Sequence, residues 1–309
     1  MEADVTYPLR ALTIGEIFDR AITMYVRHLV PLTLIVMTLI VPIQLAQGFL
    51  IGDKSTGLLA AIQQIEHPTA KAAAPNYNYG WVFLVIAFSA LLIPIVNDAV
   101  AVGVASIYNS KRPSYRGSFA AVLPRVFPLI GTTLLEALIL LGVYLGFAIA
   151  LSIIVVMGVA AVQGALPLAI VIFVIAGILT LAVIALFTGL FIGFSFATYA
   201  TVLENLNPGA AVGSAFRRLF NRNEYKKVLL MGLSAFAVNL GVVLLSAAVT
   251  VLLELFIHSQ VIVLAVGAVV QSVSTAFLTV LLAVYYYDVR TRSEGLDLEV
   301  DLARLTATP

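Results

Sequence analysis

The sequence has no cysteine, a single tryptophan and only three histidines among its 309 residues. The missing cysteine excludes disulfides, thiolate metal sites and cysteine nucleophiles. His28, His67 and His258 are far apart, so there is no helical H-x-x-x-H pair for zinc. Walker A, G-x-S-x-G and dinucleotide fingerprints are also missing. The expectation is a protein without enzymatic activity, cofactor or metal. Charge is scarce as well: Asp, Glu, Lys and Arg make up 11% of the chain, against about 25% in soluble domains. A net charge of +1 gives no field for nucleic acid or acidic substrates, so only the placement of the charges is informative.

Apolar residues are what the chain has in excess. They form 61% of it, with a mean hydropathy of +1.07, and no arrangement of the few polar groups could cover such a surface in water. The excess lies in uninterrupted runs near 29–51, 81–107, 129–157, 167–199, 228–256 and 260–287, each at least as long as the roughly 20 residues that cross a hydrocarbon core. None shows the apolar–polar alternation of membrane barrel strands. The fold class is therefore all-α integral membrane: one domain over 1–309, a six-helix transmembrane bundle. As a straight helix the fourth run would measure about 50 Å, so it must tilt, kink near Gly189 and Gly193, or project beyond the lipid.

Positive residues mark the side on which each loop stays. Arg10, Arg20 and Arg27 precede the first span; Lys111, Arg112, Arg116 and Arg125 lie between the second and third; Arg217, Arg218, Arg222, Lys226 and Lys227 lie between the fourth and fifth; Arg290, Arg292 and Arg304 follow the sixth. Only Lys54 and Lys71 fall in the remaining loops. The expectation is both termini in the cytoplasm and one sizeable external loop, 52–79. Glu2 and Asp4 oppose a cleavable signal, so the first span is expected to stay. Tyr77, Tyr79 and Trp81 are expected in an outer aromatic belt, and Tyr285, Tyr286 and Tyr287 in an inner one.

Short amphipathic stretches precede the odd spans. Ile14, Ile17, Phe18, Ala21, Ile22, Tyr25 and Leu29 recur at helical spacing, and Thr13 with Glu16 forms a capping box, which predicts an interfacial helix over 13–28. A second is expected over 208–222, with Asn207 capping and Pro208 at the first helical position. A weaker third is expected over 116–127. The interval of about 100 residues fits three copies of one unit, a helix followed by a two-span hairpin. Equally, any even-span chain with its ends inside would place basic, half-apolar segments before its odd spans.

Charge inside the hydrocarbon costs roughly 2.5–3.5 kcal/mol near the centre. Asp98 beside Asn97, in a run bent by Pro94, and Glu136 are the groups that fall there. Either they form a proton or cation site with partners among Asn97, Ser106, Thr132 and Thr133, or each is a protonated carboxyl bonded to a neighbouring helix. Glu254 is one turn from His258, and a local contact explains it. Gly142 with Gly146 and Gly189 with Gly193 are G-x-x-x-G pairs, read as close helix packing.

Three segments carry a family resemblance: LTIGEIFDRAITMYVRH from Leu12 to His28, ATVLENLNPGAAVGSAFRRLFNRN from Ala200 to Asn223, and YYDVRTRSEGLDLE from Tyr286 to Glu299. Together they resemble a bacterial family known by the glycerophosphoryl diester phosphodiesterase membrane domain. The resemblance implies a helical integral membrane domain of the bacterial inner membrane, in some members joined to a catalytic phosphodiesterase. These 309 residues have neither the length nor the paired histidines and carboxylates for that barrel. The central segment also lacks the tryptophan expected near Tyr225. Asp288, Arg290, Arg292 and Glu294 alternate in sign, for pairing with the basic helix at 217–222 or with anionic headgroups; a plain stop-transfer flank ended by Gly295 would look the same.

The functional expectation is a multi-pass membrane scaffold or accessory subunit. Its partners would be anionic lipid headgroups, met through Arg217, Arg218, Arg222 and the 288–294 segment, and a membrane-protein partner or a second copy of the chain. The alternative is a proton- or ion-coupled transporter built on Asp98 and Glu136.

Overall fold

The computed structural model describes residues 7–51, 79–164, 166–220, 225–257 and 259–295. The expected outer loop, with Tyr77, therefore lies outside the described residues apart from Tyr79, and so do Arg222 and His258. Among the described residues all the regular structure is helical, without strands. In chain order the helices are α1 (Ile14–Arg27), α2 (Leu29–Ile51), α3 (Tyr79–Tyr108), α4 (Tyr115–Val122), α5 (Val126–Gly164), α6 (Leu166–Leu203), α7 (Pro208–Leu219), α8 (Tyr225–Phe256) and α9 (Gln260–Glu294). Six of them (α2, α3, α5, α6, α8 and α9) are long and apolar enough to cross a membrane. The protein is thus an all-α membrane bundle with short helices between its spans.

The third and fourth spans run further than their apolar cores require. α5 has 39 residues and α6 has 38, about 58 Å each, against about 40–45 Å for a bilayer with its headgroups. α6 continues as helix through Gly189 and Gly193. The long outward faces carry Leu138, Leu145, Ile153, Ile170 and Leu181 in the open. Contiguous apolar surface of this extent is stable only against lipid or another apolar face.

The chain divides into two compact units, one of residues 1–127 with 235–309, the other of residues 128–234. In the first, α9 packs against α2, α3 and α1, and α4 packs on α3. Its core joins Leu32, Ile35 and Val36 of α2 with Ala99, Val100 and Val104 of α3 and Val280, Leu281, Val284 and Tyr285 of α9. Tyr285 and Tyr286 are fully buried, which corrects their expected place in a headgroup belt; α1 packs on the same helix, α9. Tyr287 rests on Tyr108, ring centroids 4.7 Å apart.

In the second unit α7 lies along the basic end of α6. A Cβ on Gly193 would sit 3.4 Å from Leu219 and 3.7 Å from Phe216, so this glycine lets the two helices approach. Gly142 and Gly146 would meet nothing within 4 Å, and close packing is not realised there. The interfacial stretch expected over 116–127 is broken: α4 stops at Val122 and a single 3-10 turn, Leu123–Arg125, leads into α5. Pro124 accounts for the break, since its ring clashes with the backbone of the preceding turn. α7 ends at Leu219, and Asn207 occupies its cap position without a side-chain bond.

One local arrangement occurs three times. α4 packs on α3 and α7 on α6, each on the even-numbered span that precedes it, while α1 packs on α9, the sixth span. Each of these contacts lies within one unit.

Candidate functional site

At the basic end of the first unit, the capping box at Thr13 forms in both directions. The Glu16 carboxylate accepts from the Thr13 N–H at 2.7 Å and the Arg10 guanidinium at 2.6 Å. The Thr13 backbone bond, then Arg10, then the Thr13 hydroxyl hold the Glu16 carboxyl down at about 2. Arg20 donates to the Pro8 carbonyl at 2.8 Å, fastening the strand of chain before α1 onto α1 itself.

That strand is gripped from the far end of the sequence. Asp288, wholly buried, accepts from the Leu12 N–H at 2.6 Å. Arg292, one turn later, pairs with Asp288 at 3.2 Å and donates to the Leu12 carbonyl. Both polar groups flanking Leu12 are thereby satisfied by a charged pair from α9, and Leu12 itself is buried. Charge-assisted bonds of this kind are about twice as strong as neutral ones. Arg290 faces the other way, pairing with Glu294 at 2.9 Å and lying over the Tyr286 ring. Gly295 then closes α9 in the left-handed conformation, φ 65°, which glycine adopts without strain. The alternating charges of this segment are thus engaged with their own helix and with Leu12.

Deeper in the same unit, Asn97 accepts from the Thr279 hydroxyl at 3.3 Å, and Asp98 is fully buried about 15 Å up α3 from Tyr108. The Tyr25 hydroxyl donates to the Val273 carbonyl at 2.7 Å and lies 2.9 Å from Thr33; burial pushes its pKa up, against the Thr33 bond. Gln44 and Gln271 bond side chain to side chain. Helices α2, α3 and α9 are therefore tied by single polar contacts at several depths, and these satisfy groups that lipid cannot.

In the second unit, Arg218 and Glu204 form a two-pronged ion pair, both N–H···O distances 2.7 Å, with Arg218 only 6% exposed. Asn205, at φ 58°, turns the chain between them. The hydroxyls of Thr132 and Thr201 are 2.9 Å apart, and a Cβ on Gly131 would press on Pro208 at 3.0 Å. Glu136 is buried one turn beyond Thr132. Asp98 and Glu136 thus belong to different units, and of the partners suggested by sequence, Ser106, Thr132 and Thr133 bond carbonyls one turn back on their own helices.

Of the basic candidates Arg218 is turned inward, whereas Arg217 is exposed. Arg27, Lys111, Arg112 and Arg116 are exposed too, and sequence reasoning did not single them out, because a row of basic residues does not show which already have partners. Among the described residues no cluster of three His, Asp or Glu side chains is fit to hold a metal ion. Comparisons with protein-family models, curated proteins and solved structures found no match to this chain.

Proposed function

We propose that the chain is a non-enzymatic, multi-pass protein of the bacterial cytoplasmic membrane, both termini cytoplasmic, that binds anionic lipid and serves as a scaffold or accessory subunit. On this reading it is a relative of the membrane-domain family that its three segments resemble. One observation carries the proposal. The arginines of the 217–218 and 288–294 segments that are buried or paired hold the protein's own chain together, while exposed cations remain beside exposed apolar side chains on the short helices and their joints: Arg27 next to Val26, Arg116 next to Tyr115, Arg217 near Phe220. A basic and apolar surface at the edge of the bilayer suits headgroups, each cation gaining about 1 kcal/mol from an anionic leaflet.

The transporter reading rests on the complete burial of Asp98 beside the Asn97–Thr279 contact. One experiment separates the two. Purified protein carrying both Asp98→Asn and Glu136→Gln should fold and retain phosphatidylglycerol in native mass spectrometry as the parent does. Proton or cation flux in vesicles that the parent supports and this variant has lost would overturn the scaffold reading.

A further inference from the structure

Five arginines at the basic face are engaged within the chain. Arg10 pairs with Glu16, Arg20 with the Pro8 carbonyl, Arg218 with Glu204, Arg290 with Glu294 and Arg292 with Asp288. Arg27, Lys111, Arg112 and Arg116 have no ion pair or hydrogen bond among the described residues. They sit where α1 turns into α2 and where α3 turns into α4, and these two joints touch. A Cβ on Gly103 would meet Leu32 at 2.9 Å and Pro113 at 3.6 Å. Leu32 donates its N–H to the His28 carbonyl at 3.2 Å, and Arg112 immediately precedes Pro113. Further along, Tyr115 accepts from Thr38 at 3.1 Å, which binds α4 to α2.

His28 lies part-buried at this joint. Burial first, then the charges of Arg27 and Arg112, hold its imidazole below its usual value, so both arginines project their field onto the same place. Leading away along α2, Val30 and Leu34 are one turn apart and exposed at 63% and 48%. Among the described residues, the joint therefore presents cations without a counterion at its head and an apolar track at its flank.

We propose that this joint is a discrete site for one anionic phospholipid, its phosphodiester held between Arg27 and Arg112 and an acyl chain lying along Val30 and Leu34. The site rests on the lipid-binding reading above and narrows it to one place and one headgroup chemistry. A free phosphate would satisfy the cations alone; the lipid is favoured because the track beside them is apolar and begins within one turn of His28.

The test uses the full chain with its three histidines labelled with nitrogen-15, His28 assigned through His28→Gln, in phosphatidylcholine nanodiscs with increasing phosphatidylglycerol. The expected result is a saturable shift of the His28 ring signals with phosphatidylglycerol. The paired Arg27→Ala and Arg112→Ala variant should raise its midpoint about 25-fold, at roughly fivefold per cation, whereas Lys226→Ala should leave it within about twofold. An equal shift from inorganic phosphate in pure phosphatidylcholine would overturn the lipid assignment. An unchanged midpoint in the Arg27/Arg112 variant, with phosphatidylglycerol still retained in native mass spectrometry, would overturn this site and leave the broader reading standing. Failure to retain anionic lipid anywhere would remove both. The parent protein's own titration needs no substitution, so a misfolded variant does not decide the matter.

Discussion

Arg290 and Arg292 are two positions apart on α9 and do different work. Arg292 neutralises a buried carboxylate and satisfies the Leu12 carbonyl; Arg290 makes a partly exposed pair with Glu294. Sequence alone predicts that reversing both charges destabilises the protein, and the structure divides that loss between them. Arg292→Glu should cost about 2–3 kcal/mol, since it sets a like charge beside Asp288 and leaves a buried acceptor unmet. Arg290→Glu should cost less, since its partner Glu294 is part-exposed whereas Asp288 is wholly buried. Thermal melting of the two single variants in detergent checks this, and equal losses would refute the division. The residues that make the clamp were visible in the sequence, but their partner was not. Nothing local links Asp288 to a backbone amide 276 positions away, whereas the Thr13–Glu16 box was readable because both halves lie within one turn. Tyr285 and Tyr286 failed for the converse reason: amphipathic rings serve equally at a headgroup belt or inside a helix bundle, and only the packing around α9 decides between them.

Among the helices, glycine has two opposite meanings. A Cβ on Gly232 in α8 would overlap the Thr188 methyl group of α6, and Thr188 is β-branched and already bonds the Ile184 carbonyl, so it cannot easily move aside. Gly232→Ala should therefore destabilise by about 1–3 kcal/mol through overpacking. Gly142→Ala meets open space and should stabilise by up to about 1 kcal/mol from helix propensity alone. Melting both variants in one detergent tests the contrast; a loss at Gly142 would reveal a neighbour there that the chain itself does not supply. Element types were legible because a run of some twenty apolar residues has one stable form in lipid. Element ends were less so. The break at Pro124 and the extra length of α5 depend on how the chain enters the next helix, which hydropathy does not encode.

Across the whole molecule, one motif of organisation recurs: α4 on α3, α7 on α6, and α1 on α9. Sequence periodicity suggested repeated units but explained itself equally well by topology. The packing adds that each short helix settles on a span other than the one it leads into, which the even-span pattern of basic segments does not require. If all the basic joints share one side of the membrane, reporters fused to the two ends should both register in the cytoplasm. Opposite compartments for the two reporters would rule out the six-span count or the orientation.

The grip of α9 on Leu12 also sets an order of events during synthesis. Ribosomes add about 5–20 residues per second, so Asp288, 276 positions after Leu12, is made on the order of 15–55 s after it. Throughout that interval the opening helix lacks its α9 partner, although both halves of its own cap lie within its first turn. Closure of the first unit is therefore a late step, and a nascent chain halted before Arg292 would leave its first helix open to proteases while every preceding span is already threaded through the bilayer.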